Sequence, residues 1–491
     1  MPVKLSLASL DDLPRAVDRP RYSRDALTGG ILHIGTGNFH RGHQAIYMDR
    51  LFNAGRDRDW AIVGVGVRAA DGTMREALRT QDWLTTVVEQ EAGSSHARVT
   101  GSMIDFVPPD DRAALLARMI DPAIRIVSMT VTEGGYFINP GTGEFNPDDP
   151  EILRDAANPR APSTAFGLIG LALSRRRAAG MPAFTVMSCD NIPHNGVVAR
   201  NAVAGLARLH DGDLARWIED NATFPNAMVD RIVPATTDRE RRMLAEDFGI
   251  GDNWPVFCED YIQWVISGEF VQGRPALEEA GVQFVDDVTP FEFMKIRILN
   301  GGHATIAYPA RLLDVHFVHE AMEHPLIGAF LAKVEHDEII PTVLPVPNVE
   351  IPDYFRLIQR RFANPKIGDT NVRLAFDGSS RQPKFILPPI RDQLAAGRSV
   401  TGLALESALW CRHCAGASES GRPIEANDPI WPRLNEQARA AKESPQVWLA
   451  MADIYGEVGR DPRFAEPFST WLQAIWRDGT EATIEVYLRS A

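Results

Sequence analysis

Gly29-Gly-Ile-Leu-His-Ile34-Gly35-Thr-Gly37-Asn-Phe-His40 decides the fold. Gly29–Ile34 predicts a turn running into a short, buried, apolar strand, and a helical pattern follows from about Arg41 to Phe52. Strand, glycine turn, helix is the context in which a dinucleotide fingerprint has meaning. Gly35 permits a tight turn, and Gly37 lets a pyrophosphate approach the backbone. The helix N-terminus offers its free N–H groups to that anion. Asn38 and Phe39, which fill the turn, join Gly35 and Gly37 as candidate cofactor contacts. His40 stands where the third glycine of the usual fingerprint would be, so the turn by itself is a weak signal.

The next strand strengthens it. Trp60-Ala-Ile-Val-Gly-Val-Gly66 is short, apolar and β-branched, and Asp71 follows its end. A carboxylate there can accept hydrogen bonds from an adenosine ribose, which favours NAD over its 2′-phosphorylated form. Two features weigh against this. The spacing from Gly37 exceeds the usual twenty or so residues, and Asp71-Gly72 also suits an ordinary turn. Nearby Arg68 could instead attract a 2′-phosphate. NAD is the expected cofactor.

Outward from this unit, strands and helices alternate. Ile124–Thr132 predicts a strand ending at Glu133-Gly-Gly135, Ala165–Ala178 a helix, and Ala183–Ser188 another buried strand. The alternation implies an α/β fold with a mostly parallel sheet and helices on both faces. Ligands of such sheets bind beyond the carboxyl ends of the strands, which makes Glu133 and Asn191 candidates by position. Gly281–Val288 looks like the last strand. Beyond it the pattern turns helical, near 290–312, 317–335, 386–412 and 443–455. Pro341–Pro352 and Asn364–Pro383 are the longest irregular stretches. The boundary falls near 285–290, giving an α/β domain over residues 1–287 and a largely α-helical domain over 288–491.

The helical domain opens on Thr289-Pro290-Phe-Glu292, whose pattern fits a capping box with Pro290 at the first helical position. Lys295-Ile-Arg-Ile-Leu-Asn300-Gly-Gly-His303 follows. At about 100° per residue, with Lys295 as zero, His303 falls near 80° and Asn300 near 140° on the helical wheel. A base, an amide and an imidazole on one side of a helix could take a proton from an alcohol and steady the developing alkoxide. Polar helix faces are common, so this set gains weight only from the nucleotide signal upstream. The expected site lies where the two domains meet.

Composition narrows the class. At 491 residues the chain is too long for one ordinary core. Hydrophobic residues make up 45%, as in a globular enzyme. A net charge of −14 argues against nucleic acid as the main partner. No apolar run approaches a membrane span, and the N-terminus, with Asp11 and Asp12, lacks a signal-peptide pattern. A cytoplasmic location is expected by default. Four cysteines do not make a disulfide framework. Cys411-Arg-His-Cys414 has metal-ligand spacing, but it lies in a helical segment without a second pair and is read as structural. No metal is expected.

With Gly35-x-Gly37-x-Phe-His-Arg41, Phe224-Pro-Asn-Ala-Met-Val-Asp-Arg-Ile232 and Lys295-x-x-x-x-Asn-x-x-His303 in view, the chain resembles the mannitol dehydrogenase family of long-chain polyol dehydrogenases over nearly its whole length. The second and third motifs are highly specific. The resemblance implies a Rossmann-type N-terminal domain, a helical C-terminal domain, zinc-independent chemistry and a monomer. It implies that Lys295 is the general base, that Asn191 and Asn300 bind the reacting oxygen, and that His303 orients the substrate. Asp230 and Arg373 would contact other hydroxyl groups, and Glu292 would border a water path to Lys295. Arg381 stands where the family often has lysine, so a planar fork replaces a point charge; it is a third candidate substrate contact. Each residue also has a structural reading. Asn191 lies in a turn-rich loop, Asp230 and Arg231 could form an ion pair, Arg373 could be a surface arginine, and Glu292 fits the cap.

The resemblance implies an NAD-dependent polyol 2-dehydrogenase acting on a linear polyol and its ketose, mannitol and fructose or arabinitol and xylulose. A hexuronate reductase such as a fructuronate reductase is the alternative within the same architecture. A catalytically silent NAD-binding sensor would have no need of the Lys295, Asn300, His303 set. Short-chain dehydrogenase chemistry is disfavoured because none of the eight tyrosines has a lysine four residues later.

Overall fold

The structure, a computed structural model, describes residues 2–139 and 143–490; the side chain of Glu133 lies outside what it describes. The chain divides into two compact units, Met1–Thr289 and Pro290–Ala491.

In chain order the strands of the first unit are β1 (Val3–Lys4), β2 (Gly29–Ile34), β3 (Ala61–Val65), β4 (Thr85–Gln90), β5 (Ser95–Thr100), β6 (Met103–Val107) and β7 (Ile126–Met129). They continue with β8 (Thr185–Ser188), β9 (Asn226–Asp230), β10 (Ile250–Gly251), β11 (Val256–Glu259), β12 (Gln263–Ser267) and β13 (Gln283–Phe284). Five of them form a parallel sheet in the order β6-β3-β2-β7-β8. Their near-continuous apolar sequences follow from burial on both faces. Leu32, Ile34, Val63, Val65, Val127 and Met129 pack into one core cluster. Ile31, Ile62, Ile126 and Met187 pack into the other. The helices Arg112–Met119, Ala165–Ala178 and Asn195–Arg208 cover the first face; Gln44–Asn53 and Asp71–Arg79 cover the second. The order of connection reverses between β2 and β7, so a ligand crevice is expected at their carboxyl ends. Two three-stranded sheets, β11-β4-β5 and β13-β12-β9, bring in antiparallel pairs, and the two-stranded parallel β1-β10 completes the unit.

Several expectations shift in detail. The helix predicted over Arg41–Phe52 is two helices, Asn38–Gly42 and Gln44–Asn53, broken at His43. The break has a cause: the carbonyl of Gly42 accepts a hydrogen bond from Arg231 Nη1 at 2.8 Å. The strand predicted over Gly281–Val288 shrinks to Gln283–Phe284, because Asp286 and Asp287 already belong to the approach to the next helix. There Asp287 Oδ1 accepts from the backbone N–H (2.9 Å) and the hydroxyl (2.6 Å) of Thr289. Asp287 thus supplies a carboxylate at the helix start, with Thr289 as the first residue of the helix.

The second unit is helical throughout its described residues. Its centre is the helix Thr401–Cys414, buried from Gly402 to Cys414. Both oxygens of Glu338 accept from its opening turn, Gly402 N–H at 2.6 Å and Leu403 N–H at 2.8 Å. The predicted helices over 317–335 and 386–412 each split, at Pro325 and across 396–400. Helices also occupy parts of the stretches read as irregular, Ile351–Phe362 and Gly378–Phe385. Pro352 sits in the first turn, where its missing N–H costs nothing.

Candidate active site

Gly35 and Gly37 differ in what requires them. Gly35 has φ +97°, and a Cβ there would lie 2.2 Å from the Thr130 carbonyl oxygen. The fold itself demands glycine, since the turn at the end of β2 lies against the end of β7. At Gly37 φ is −86°, and the nearest protein atom to an added Cβ is 3.8 Å away. Nothing in the protein excludes a side chain there. What Gly37 leaves is open space in front of the N-terminus of Asn38–Gly42, the cradle a pyrophosphate would fill.

The side chain of Asn38 is engaged within the protein. Its Nδ2 donates to Pro234 O and Thr236 Oγ1, each at 3.0 Å, and its Oδ1 accepts from Arg41 Nη2 at 2.6 Å. Phe39 stacks on His43, with centroids 4.8 Å apart. His40, in the place of a glycine, lies stacked on His33 at 3.6 Å beneath the turn. Burial keeps both rings neutral, with His33 pushed down to about 3. At the second strand, Asp71 Oδ2 accepts from the N–H groups of Val67 (2.7 Å) and Arg68 (2.9 Å), tying the loop after β3. Asp71 and Gly72 open the helix Asp71–Arg79 rather than an Asp-Gly turn, and the carboxylate ties that helix to the loop before it.

Asn191 is exposed in the loop after β8. Asp190 and Asn195 fix that loop on either side. Asn195, fully buried, donates to Asp190 O (3.0 Å) and Ala227 O (2.7 Å) and accepts from Ala227 N–H. Asp230 is the buried last residue of β9, opposite Gln263. Arg231 does not pair with it. Its guanidinium instead binds Glu89 Oε1 at 2.7 Å and the carbonyls of Glu259 and Gly42, so its part in the motif is structural.

In the second unit Lys295, Asn300 and His303 share one continuous helical rod. It is not uniform: Lys295–Asn300 is a π turn between α-helical segments. A π turn takes in roughly one residue more than an α turn. Residues five apart come closer to one azimuth, so Asn300 rotates back toward Lys295 from its α-helical position. Lys295 is only 7% exposed and Glu292 only 4%. The His303 ring stacks on Phe362 at 4.2 Å, and its Nε2 is buried without a protein hydrogen-bond partner. Burial, reinforced by Arg373 and opposed by Asp369, pushes this imidazole down to about 3, so it stays neutral. Arg373 forms a bidentate pair with Asp369, with Nε to Oδ1 at 2.6 Å and Nη2 to Oδ2. Arg381 Nη1 donates to Leu374 O at 2.8 Å, bracing the short helix Asn371–Leu374 that carries Arg373.

Phe362 and Asp369 were not singled out from the sequence. The i,i+4 spacing of Asp369 and Arg373 was a readable sign; the stacking of Phe362 was not. Cys411 and Cys414 are buried free thiols within the central helix. Among the described residues, no three His, Cys, Asp or Glu side chains gather as metal ligands, and no helix is long and apolar enough to cross a membrane.

Two family models match the chain: the mannitol dehydrogenase Rossmann domain over residues 29–279 and the mannitol dehydrogenase C-terminal domain over residues 287–476. The mannitol 2-dehydrogenase of Cereibacter sphaeroides is 56% identical over 477 residues, covering 97% of this chain and all of that protein. That of Aspergillus clavatus is 41% identical over 99% of each. Among solved structures, the Pseudomonas fluorescens mannitol 2-dehydrogenase in ternary complex with NAD and D-mannitol superimposes with a TM-score of 0.90 at 42% identity, covering 99% of this chain and 100% of that one. A substrate-free D-sorbitol dehydrogenase gives 0.89 at 37% identity, over 98% and 100%. The two halves of the chain, a parallel nucleotide-type sheet and a helical unit carrying Lys295, Asn300 and His303, each match their counterpart, and the chain belongs to the mannitol dehydrogenase family.

Proposed function

We propose that the chain is an NAD-dependent polyol 2-dehydrogenase that interconverts D-mannitol and D-fructose, or D-arabinitol and D-xylulose, with Lys295 as general base and no zinc. The observation that carries the reading is the buried Lys295 at the head of a π turn, followed by Asn300 and a neutral His303 with an unsatisfied Nε2. The relatedness to mannitol 2-dehydrogenases supports it. The proposal includes a cytoplasmic monomer, as the family resemblance implies.

Gly35, the open space at Gly37 and the N–H groups of Asn38 and Phe39 suit the pyrophosphate of NAD, and the free oxygen of Asp71 its adenosine ribose. NAD bound there would supply the hydride acceptor for C2. The protein handles the proton. Lys295 is buried at the head of the π turn. It takes the C2 hydroxyl proton as the hydride departs. The amides of Asn191 and Asn300 donate to the oxygen as charge gathers there; one such donor contributes on the order of 3 kcal/mol in comparable sites. His303 Nε2 meets a second substrate hydroxyl, with the ring held by Phe362. Asp230, Arg373 and Arg381 bind hydroxyls away from the reacting carbon. Reduction runs the same steps backward, with the Lys295 ammonium returning the proton.

Lys295→Ala should lower polyol oxidation by about 100- to 10,000-fold, the usual worth of a general base, and an added primary amine should restore part of it. Oxidation by the unaltered enzyme should rise with pH through one ionisation that the variant lacks. A variant with near-normal turnover would remove the lysine from the mechanism.

A second reading, a hexuronate reductase, gains from one observation. Three guanidiniums, Arg361, Arg373 and Arg381, act on His303, and a substrate carboxylate suits them.

A further inference from the structure

At the carboxyl edge of the central sheet one residue is held in a conformation that it should not favour. Thr132, just past the end of β7, has φ +66° and ψ +164°. That region is essentially glycine's own, and a β-branched residue there is a genuine outlier. Such strain persists only where the surroundings over-determine it, and it gathers at functional sites.

The group that over-determines it is Asp190, 7% exposed, just past the end of the neighbouring strand β8. Its Oδ1 accepts from Thr132 N–H at 2.9 Å, and its Oδ2 accepts from Val131 N–H at 3.0 Å and from the Tyr136 hydroxyl at 2.7 Å. Tyr136, fully buried, ends the short turn that Thr132 begins, and its hydroxyl also lies 2.5 Å from Ser188 Oγ. The backbone of Asp190 is fixed as well: its carbonyl accepts from Ile192 N–H at 2.9 Å and from Asn195 Nδ2 at 3.0 Å. One carboxylate therefore locks two adjacent strand ends together. One side carries Thr130, whose carbonyl lies against Gly35 and whose hydroxyl donates to Gly35 O at 2.7 Å. The other side carries Asn191, the next residue in the chain.

We propose that Asp190, with Tyr136, is a positioning residue for the reaction: it holds the strained Thr132 turn against the glycine loop and thereby sets Asn191 for the reacting oxygen. This rests on the role of Asn191 in polyol oxidation. Asn at 190 would keep the shape but offer one acceptor oxygen where two are used, so the amides of Val131 and Thr132 could no longer both be satisfied. Glycine at 132 adopts the same backbone without strain. The two changes should therefore be coupled.

The test is a double-mutant cycle in the full-length enzyme with NAD and D-mannitol. It reads kcat, the isotope effect with C2-deuterated mannitol, the affinity for NADH by fluorescence, and Tm. Asp190→Asn should lower kcat by about 30-fold and increase the isotope effect, with NADH affinity changed by less than about 3-fold. Thr132→Gly should keep kcat and raise Tm. Asp190→Asn in the Thr132→Gly background should lose about 10-fold less than it does alone, since contacting residues are not additive. Tyr136→Phe gives a milder form of the same loss and the same rescue, should Asp190→Asn fold poorly. Independent, multiplying losses, or an unchanged kcat in Asp190→Asn, would overturn the proposal. Unaltered enzyme that oxidises no polyol would instead overturn the functional reading, and the Tm cycle would still decide whether Asp190 holds the strain.

Discussion

At Asp71 the two carboxylate oxygens stand in different surroundings. One ties the backbone of Val67 and Arg68, and the other faces no protein donor. In the proposed binding mode this carboxylate would accept from the ribose hydroxyls of NAD and repel a 2′-phosphate, while Arg68 stands exposed in the same loop. Asp71→Ala should raise the ratio of kcat/KM with NADP to that with NAD by about tenfold or more, the worth of roughly 1.4 kcal/mol. Because the loop is also untied, KM should rise for both. An unaltered enzyme that prefers NADP would contradict this account of Asp71. Of the proposed site, the shared helical stretch of Lys295, Asn300 and His303 and the loop position of Asn191 after a strand were legible. Those that hold them were not. Asp190, Tyr136 and Phe362 act through tertiary contacts, and no local pattern marks such partners.

At the scale of elements, the glycine turn separates what the fold needs from what a ligand needs. Gly35→Ala forces a Cβ onto the Thr130 carbonyl at a positive φ and should destabilise the protein by about 2–4 kcal/mol, read as a lower Tm. Gly37→Ala meets no protein atom closer than 3.8 Å and should leave Tm unchanged. It should raise KM for the cofactor several-fold, because the added methyl occupies the pyrophosphate's approach. Equal losses of Tm in both variants would remove the ligand from the explanation. The strand β2 and the helix Ala165–Ala178 were legible because apolar runs and 3.6-residue periods report burial directly. The π turn at Lys295–Asn300 was not, since a single period was assumed through it. The helices Ile351–Phe362 and Gly378–Phe385 were hidden by prolines read as breaks: Pro352 is tolerated in a first turn, whereas Pro383 lies inside its helix.

At the scale of the whole molecule, buried ionisable groups set how stability responds to pH. Glu406 is fully buried against Gln382 Nε2 at 2.6 Å and is pushed up to about 8 by burial; Glu338 is pushed up to about 7. Carboxyls raised in the fold favour it fully below their unfolded value near 4.5, and that contribution is lost as pH rises through about 7 and 8. His33, His303 and His413, each pushed down to about 3, act in the opposite sense. Their contribution is present above about 6.5 and is lost as pH falls toward 3. Glu406→Gln keeps the volume and a polar partner for Gln382 but cannot ionise. Its Tm relative to the unaltered protein should rise as pH goes from 5 to about 9; a constant difference would show that the Glu406 carboxyl is not raised in the folded state.

The account as a whole rests on one reaction. Its most direct test is steady-state reduction of NAD by the purified chain across D-mannitol, D-arabinitol and D-sorbitol, with the ketose product identified, and the reverse reaction with D-fructose and fructuronate. The account predicts NADH formation with D-mannitol or D-arabinitol, D-fructose or D-xylulose as product, and little turnover of fructuronate. Strong reduction of fructuronate with no oxidation of any polyol would contradict it.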